Sequence, residues 1–123
     1  VISLKSFQKN IDIHLNSYAW LAKLIANQMV ESGKRGSIIQ LGSIYGIQGQ
    51  DLTIYEGTKM KENMTYSIIK GGITNLTRQM ASYYGQHGVR VNTICSGGIL
   101  DTKLDPKFIK QYNKKVPLGR LGK

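Results

Sequence analysis

Two stretches decide how this chain folds: LGSIYG at 41–46, and YSIIKGGITNLTRQMASYYGQHGVRVNTICSGGI at 66–99. Within the second, Ile69, Ile73, Leu76, Met80 and Tyr83 recur at steps of four and three. That is the period of a helix with one apolar face, here over about 65–84, and Gly85 and Gly88 mark its end. VRVNTIC (89–95) is rich in β-branched residues and too short for a helix, so it reads as a buried strand broken by SGG (96–98). SIIQLG (37–42) reads as a second short strand, and Ser43 lies at its C-terminal end.

Outward from this centre, Leu15, Tyr18, Ala22, Ile25 and Met29 line one face of a helix over 11–32, and Gly33 stands at its end. Trp20 and Leu24 make a second apolar strip on the same helix, which predicts either deep burial or one face against another subunit. The interval 44–64 has no clean period, is punctuated by Gly46, Gly49 and Gly57, and reads as a long functional loop. A short amphipathic helix follows at 105–114, with Pro106 in its first turn, and PLGRLGK reads as loop. Strands alternating with helices imply parallel pairing and right-handed crossovers, hence an α/β class. Two strands alone make a poor sheet, so further strands are expected beside them from a segment outside this sequence.

The composition bounds the function. With 123 residues and 41% hydrophobic content, the chain is of ordinary globular character. No apolar run approaches the roughly 20 residues of a membrane span, and no basic segment leads into an apolar stretch at the start. The single cysteine, Cys95, has no internal disulfide partner; it reads as a small buried hydrophobe, and its solitude suggests a reducing, cytoplasmic setting. The net charge of +10 raises the question of nucleic acid. Yet seven of the 17 basic residues lie between Lys103 and Lys123 beside one acid, Asp105, and no recognition motif accompanies them. A solvated basic face explains them better, so neither a nucleic-acid nor a membrane partner is expected.

Tyr66 and Lys70 stand one helical turn apart, so their side chains point the same way. An ammonium beside a phenol favours the phenolate, which suits a general acid/base. Ser43, at the carboxyl end of a strand, sits where open α/β sheets take ligands and could donate to a substrate oxygen. The pattern calls for no metal. Tyr55 and Lys59 repeat the Tyr-x-x-x-Lys spacing in YEGTK, but Gly57 interrupts them and no helical period surrounds them.

A strand ending in Ser, a Tyr-x-x-x-Lys helix, then Arg90-Val91-Asn92 and a glycine-rich turn together resemble the short-chain dehydrogenase/reductase family over almost the whole chain. The resemblance implies a Rossmann-like, doubly wound parallel sheet, of which residues 1–123 would be the catalytic and C-terminal part of a single domain. The N-terminal dinucleotide-binding half, with its G-x-G-x-x-G turn and its Asn-Ala-Gly segment, is missing from this pattern. It further implies an NAD- or NADP-dependent oxidoreductase interconverting an alcohol and a carbonyl, and a homodimer or homotetramer. Tyr66 would be the acid/base, Ser43 would orient the substrate, and Lys70 would bind the nicotinamide ribose. Gly97, Gly98 and Ile99 would pass under the nicotinamide, with Thr102 reaching its carboxamide or the phosphates. His14 falls where the family often has an Asn that completes a proton relay. Ser96 replaces the usual Pro of the glycine turn. Tyr55 becomes a candidate substrate contact in an enlarged loop. IYEGTKMK and SGGILDT look similar to members acting in bacterial surface-sugar biosynthesis, which implies a sugar or sugar-nucleotide substrate. The competing expectation is a family-like scaffold that binds without turnover.

Overall fold

The computed structural model describes residues 2–123. Ser3 opens helix α1 (Leu4–Ile11), its side-chain oxygen accepting from the Ser6 N–H. The chain then passes without a break through one wide π-helical turn, Asp12–Asn16, into α2 (Ser17–Glu31). The helical run therefore begins seven residues before the start predicted at 11. Leu4, Phe7 and Ile11 extend the apolar period at steps of three and four, although this first segment buries no residue. At the far end, the Gly33 N–H donates to Val30 O and the Lys34 N–H to Met29 O, the paired bonds of a Schellman stop.

Strand β1 (Gly36–Leu41) and strand β2 (Val89–Ile94) pair in parallel, from Gly36 opposite Val89 to Leu41 opposite Ile94. Helix α3 (Met64–Tyr84) is the crossover between them. Ala22 and Ala26 of α2 join Met80 and Tyr84 of α3 and Val89 and Val91 of β2 in one core. Two alanines at the seam bring α2 close to its neighbours. The buried face is thus Ala22 and Ala26, whereas Ile25, placed inward by the sequence period, is 39% exposed. Tyr84 adds a hydroxyl bond to Asn27 at 2.6 Å across the two helices.

The opposite face of the sheet is bare. Ile39, Leu41 and Ile94 are 60%, 58% and 53% exposed, whereas parallel sheets are ordinarily covered on both faces. A second, smaller core lies beyond the strand ends, where Ile54, Phe108, Tyr112 and Leu121 meet. Ile54 belongs to a 3-10 turn (Leu52–Tyr55), and Phe108 and Tyr112 to helix α4 (Pro106–Asn113), which Asp105 caps. The interval read as loop therefore holds two short turns, 44–46 and 52–55, and is packed against α4.

Candidate active site

The carboxyl ends of the two strands fix the site. The Gly42 N–H donates to Ile94 O, and the Ile44 N–H to Ser96 O, so the turn after β1 is tied to the turn after β2. Between these bonds sits Ser43, extended in backbone and 5% exposed. Its Oγ accepts from the Tyr45 N–H at 3.2 Å, which leaves its own proton to donate. Gly46 lets this turn press on α3: a Cβ there would lie 2.5 Å from the Lys70 carbonyl oxygen and 2.7 Å from Thr74 Oγ1.

Helix α3 starts where Asn63 Oδ1 accepts from the Tyr66 N–H at 3.0 Å, an N-cap bond to the third helical residue. That cap sets Tyr66 in the first turn, beside the strand ends. Lys70, one turn on, lies with Nζ 5.7 Å from the Tyr66 ring centroid. Nζ also donates to Leu41 O at 2.8 Å, on the unpaired edge of β1. The ammonium carries three donors, so two remain for hydroxyls lying along that rim. The Tyr66 ring itself is braced edge-on by Tyr45, with centroids 6.5 Å apart and planes at 79°.

Tyr66 lies between two spaces. On one side, a cleft of about 540 Å³ is lined by Ser43, Tyr45, Tyr55, Tyr66 and the turn Ser96–Ile99. On the other, a cavity of about 240 Å³ joins Tyr66 and Lys70 to His14, Tyr18 and Asn10. The π-helical turn carries His14 to this cavity; such one-turn insertions often mark functional positions. Asn16 instead lies in a separate groove of about 780 Å³ between α2 and α3, with Trp20, Lys23, Leu76 and Tyr83.

The structure thus brings together Ser43, Tyr66, Lys70, His14, Tyr55, Gly97, Gly98 and Ile99. Thr102 is exposed and is not among the residues lining the cleft. With serine at 96 the turn still borders the cleft. Gly98 is held from behind by Tyr112, whose hydroxyl accepts from the Gly98 N–H at 2.6 Å, and a Cβ at 98 would meet Tyr112 Cζ at 2.9 Å. The Tyr55–Lys59 repeat is not a helical pair: Tyr55 ends a 3-10 turn, Gly57 follows at φ +68°, and Lys59 is exposed.

Sequence reasoning missed Tyr45 and Tyr112. Burial pushes the Tyr45 phenol well above its ordinary range, and the neighbouring Tyr55 hydroxyl pushes it the same way, so it stays neutral beside Tyr66. Tyr45 lies inside the LGSIYG motif, and Tyr112 stands one turn from Phe108; both signals were present.

Comparison with known proteins places this geometry in context. A family model described as Enoyl-(Acyl carrier protein) reductase matches residues 1–123. Post-translational flagellin modification protein A of Campylobacter coli is 33% identical over 115 residues, which is 91% of this chain and 43% of that protein. Glucose 1-dehydrogenase 2 of Bacillus subtilis (strain 168) is 30% identical over 127 residues, covering 99% of this chain and 45% of that protein. Among solved structures, a short chain dehydrogenase of Leptospira borgpetersenii with bound NAD+ superposes with a TM-score of 0.86 at 34% identity, covering 98% of this chain and 45% of that one. The chain therefore spans a little under half the length of the relatives it matches.

Proposed function

The chain belongs to the short-chain dehydrogenase/reductase family, and from that premise we propose that the full protein is an NAD(P)-dependent oxidoreductase interconverting an alcohol and a carbonyl, with Tyr66 as its acid/base. The observation that carries the reading is the position of Tyr66. It borders the cleft that holds Ser43 and, on its other side, the cavity that holds Lys70 and His14.

Lys70, Gly97, Gly98 and Ile99 would hold the cofactor. The fit rests on the two free donors of Lys70 at the bare rim of β1 and on the glycine turn that lines the same cleft as Ser43. When bound, the nicotinamide supplies or accepts the hydride. Ser43 donates its free proton to the substrate oxygen and fixes its direction. In the reducing direction the Tyr66 hydroxyl passes its proton to that oxygen, and the Lys70 ammonium stabilises the negative charge left behind. His14, across the smaller cavity, resupplies the proton from the side away from substrate.

A sugar or sugar-nucleotide is the substrate class we favour. The part-exposed Tyr55 ring, backed by Phe108, lines the cleft and suits the C–H face of a pyranose, and two of the similar proteins are named for flagellin modification and for glucose dehydrogenation. The exposed groove between α2 and α3, with Trp20 60% exposed and Lys23 Nζ 5.6 Å from its ring, is the surface at which we expect two copies to pair.

The test uses the full-length protein. Wild type should reduce NAD+ in the presence of a sugar such as D-glucose, oxidised at its anomeric hydroxyl to the lactone, and Lys70→Met should lower both turnover and cofactor affinity, each by about tenfold or more. Cofactor binding without turnover on any alcohol or carbonyl would favour the inactive-scaffold reading instead.

A further inference from the structure

The interval between Ser43 and Tyr66 is long, and the structure shows what its middle rests on. The Gln111 side-chain amide, on α4, donates to Ile54 O at 2.6 Å and reaches Thr53 O at 3.4 Å. The Tyr55 ring stacks on Phe108, with centroids 5.6 Å apart and planes at 14°. Lys115 Nζ pairs with Asp51 Oδ2 at 3.0 Å. Ile54, 2% exposed, packs with Phe108, Tyr112 and Leu121 beneath these contacts. Tyr112 then carries the connection to Gly98, in the turn that lines the cleft with Ser43.

We infer that residues 51–55 and α4 form one preassembled wall on the substrate side of the cleft, in which Tyr55 sets the size of substrate admitted and Gln111 is the positioning residue that locks the two pieces together. The contacts differ in weight. The Asp51–Lys115 pair has both side chains about half exposed, and such pairs contribute little. The Gln111 amide satisfies backbone carbonyls at a partly buried position, where losing a donor is felt. The stack and the buried isoleucine supply the apolar area. Because the contacts of the wall are made within the chain itself, the substrate meets a surface whose ordering cost is met by folding. The docking is independent of the oxidoreductase reading; the role in substrate choice rests on it.

Amide hydrogen exchange on the full-length protein tests the docking without substrate. In wild type, Ile54, Glu56 and residues 109–113 should exchange slowly and together. Gln111→Ala should speed both groups by about fivefold or more, leaving α3 amides from 70 to 84 unchanged. Gln111→Lys, which keeps an N–H donor of similar reach, should recover most of that protection. Independent exchange of the two groups in wild type, acceleration of only one of them, or no recovery in Gln111→Lys would overturn the docking. Substrate choice is read on D-glucose, cyclohexanol and menthol with NAD+. Tyr55→Ala should raise kcat/KM for menthol relative to cyclohexanol about tenfold, and an unchanged ratio would overturn the role of Tyr55. If none of the three is turned over, the substrate reading of the previous section fails, and the exchange result alone decides the wall.

Discussion

Tyr66 owes its position to a chain of local causes. Asn63 caps the helix through the Tyr66 N–H, Tyr45 braces the ring from the side, and Lys70 returns from the next turn to the rim of β1. None of these is strong alone; together they place the ring between the cleft and the smaller cavity. The same scale holds a pH effect. The Asp51 carboxyl is drawn down from 3.8 to about 2, first by the Thr53 hydroxyl donating at 2.6 Å, then by Lys115. A depressed carboxyl pKa stabilises the fold fully above the unfolded value of about 3.9, and that contribution is lost as pH falls through about 2. An NMR titration of the Asp51 carboxyl carbon should therefore show a midpoint near 2, moving up towards the ordinary value in Thr53→Val; an unchanged midpoint in that variant would contradict the assigned cause.

At the scale of elements, α3 is held by what it buries. Ile73 and Met80 are 1% and 4% exposed, and Met80 Sδ also receives the buried Gln40 amide at 3.5 Å. Met80→Ala leaves a void under β2 and a buried amide without its partner, so urea unfolding should show a loss of about 2–5 kcal/mol; a loss under about 1 kcal/mol would mean that the seam refills. This helix was legible in the sequence because its apolar period runs through Ile69, Ile73, Leu76 and Met80, and with it the shared face of Tyr66 and Lys70; the last step fails, since Tyr83 is 58% exposed and Tyr84 is the buried residue. The start at Leu4 was not read, although Leu4, Phe7 and Ile11 carry the same period; α1 buries none of them. Nor could periodicity choose Ala26 over Ile25 as the buried residue, since the seam rewards small size and not hydrophobicity. The docking of 51–55 on α4 was hidden for another reason. Its main bonds run from Gln111 to the carbonyls of residues 53 and 54, and a carbonyl carries no mark of residue type.

Across the whole molecule, one face of the sheet is packed and the other is open, with Ile39, Leu41 and Ile94 in solvent. The relatives are more than twice as long as the matched region; α2 and α3 lie on the packed face, and from α3 Lys70 reaches the unpaired edge of β1. The exposed groove at Trp20 belongs to the same scale. In the full-length protein, Trp20→Glu should shift sedimentation from dimer or tetramer towards monomer, because a charge in that groove would be desolvated on pairing; an unchanged sedimentation coefficient would place the interface elsewhere. The central claim is that one phenol, among the several that line the cleft, handles the proton. Steady-state turnover with parallel cofactor titration, comparing Tyr66→Phe with Tyr55→Phe in the full-length protein, tests it most directly. We predict that Tyr66→Phe lowers kcat by at least about a thousandfold with cofactor affinity nearly unchanged, while Tyr55→Phe, which keeps the ring on Phe108, stays within a few-fold of wild type. An active Tyr66→Phe beside an inactive Tyr55→Phe would contradict the account.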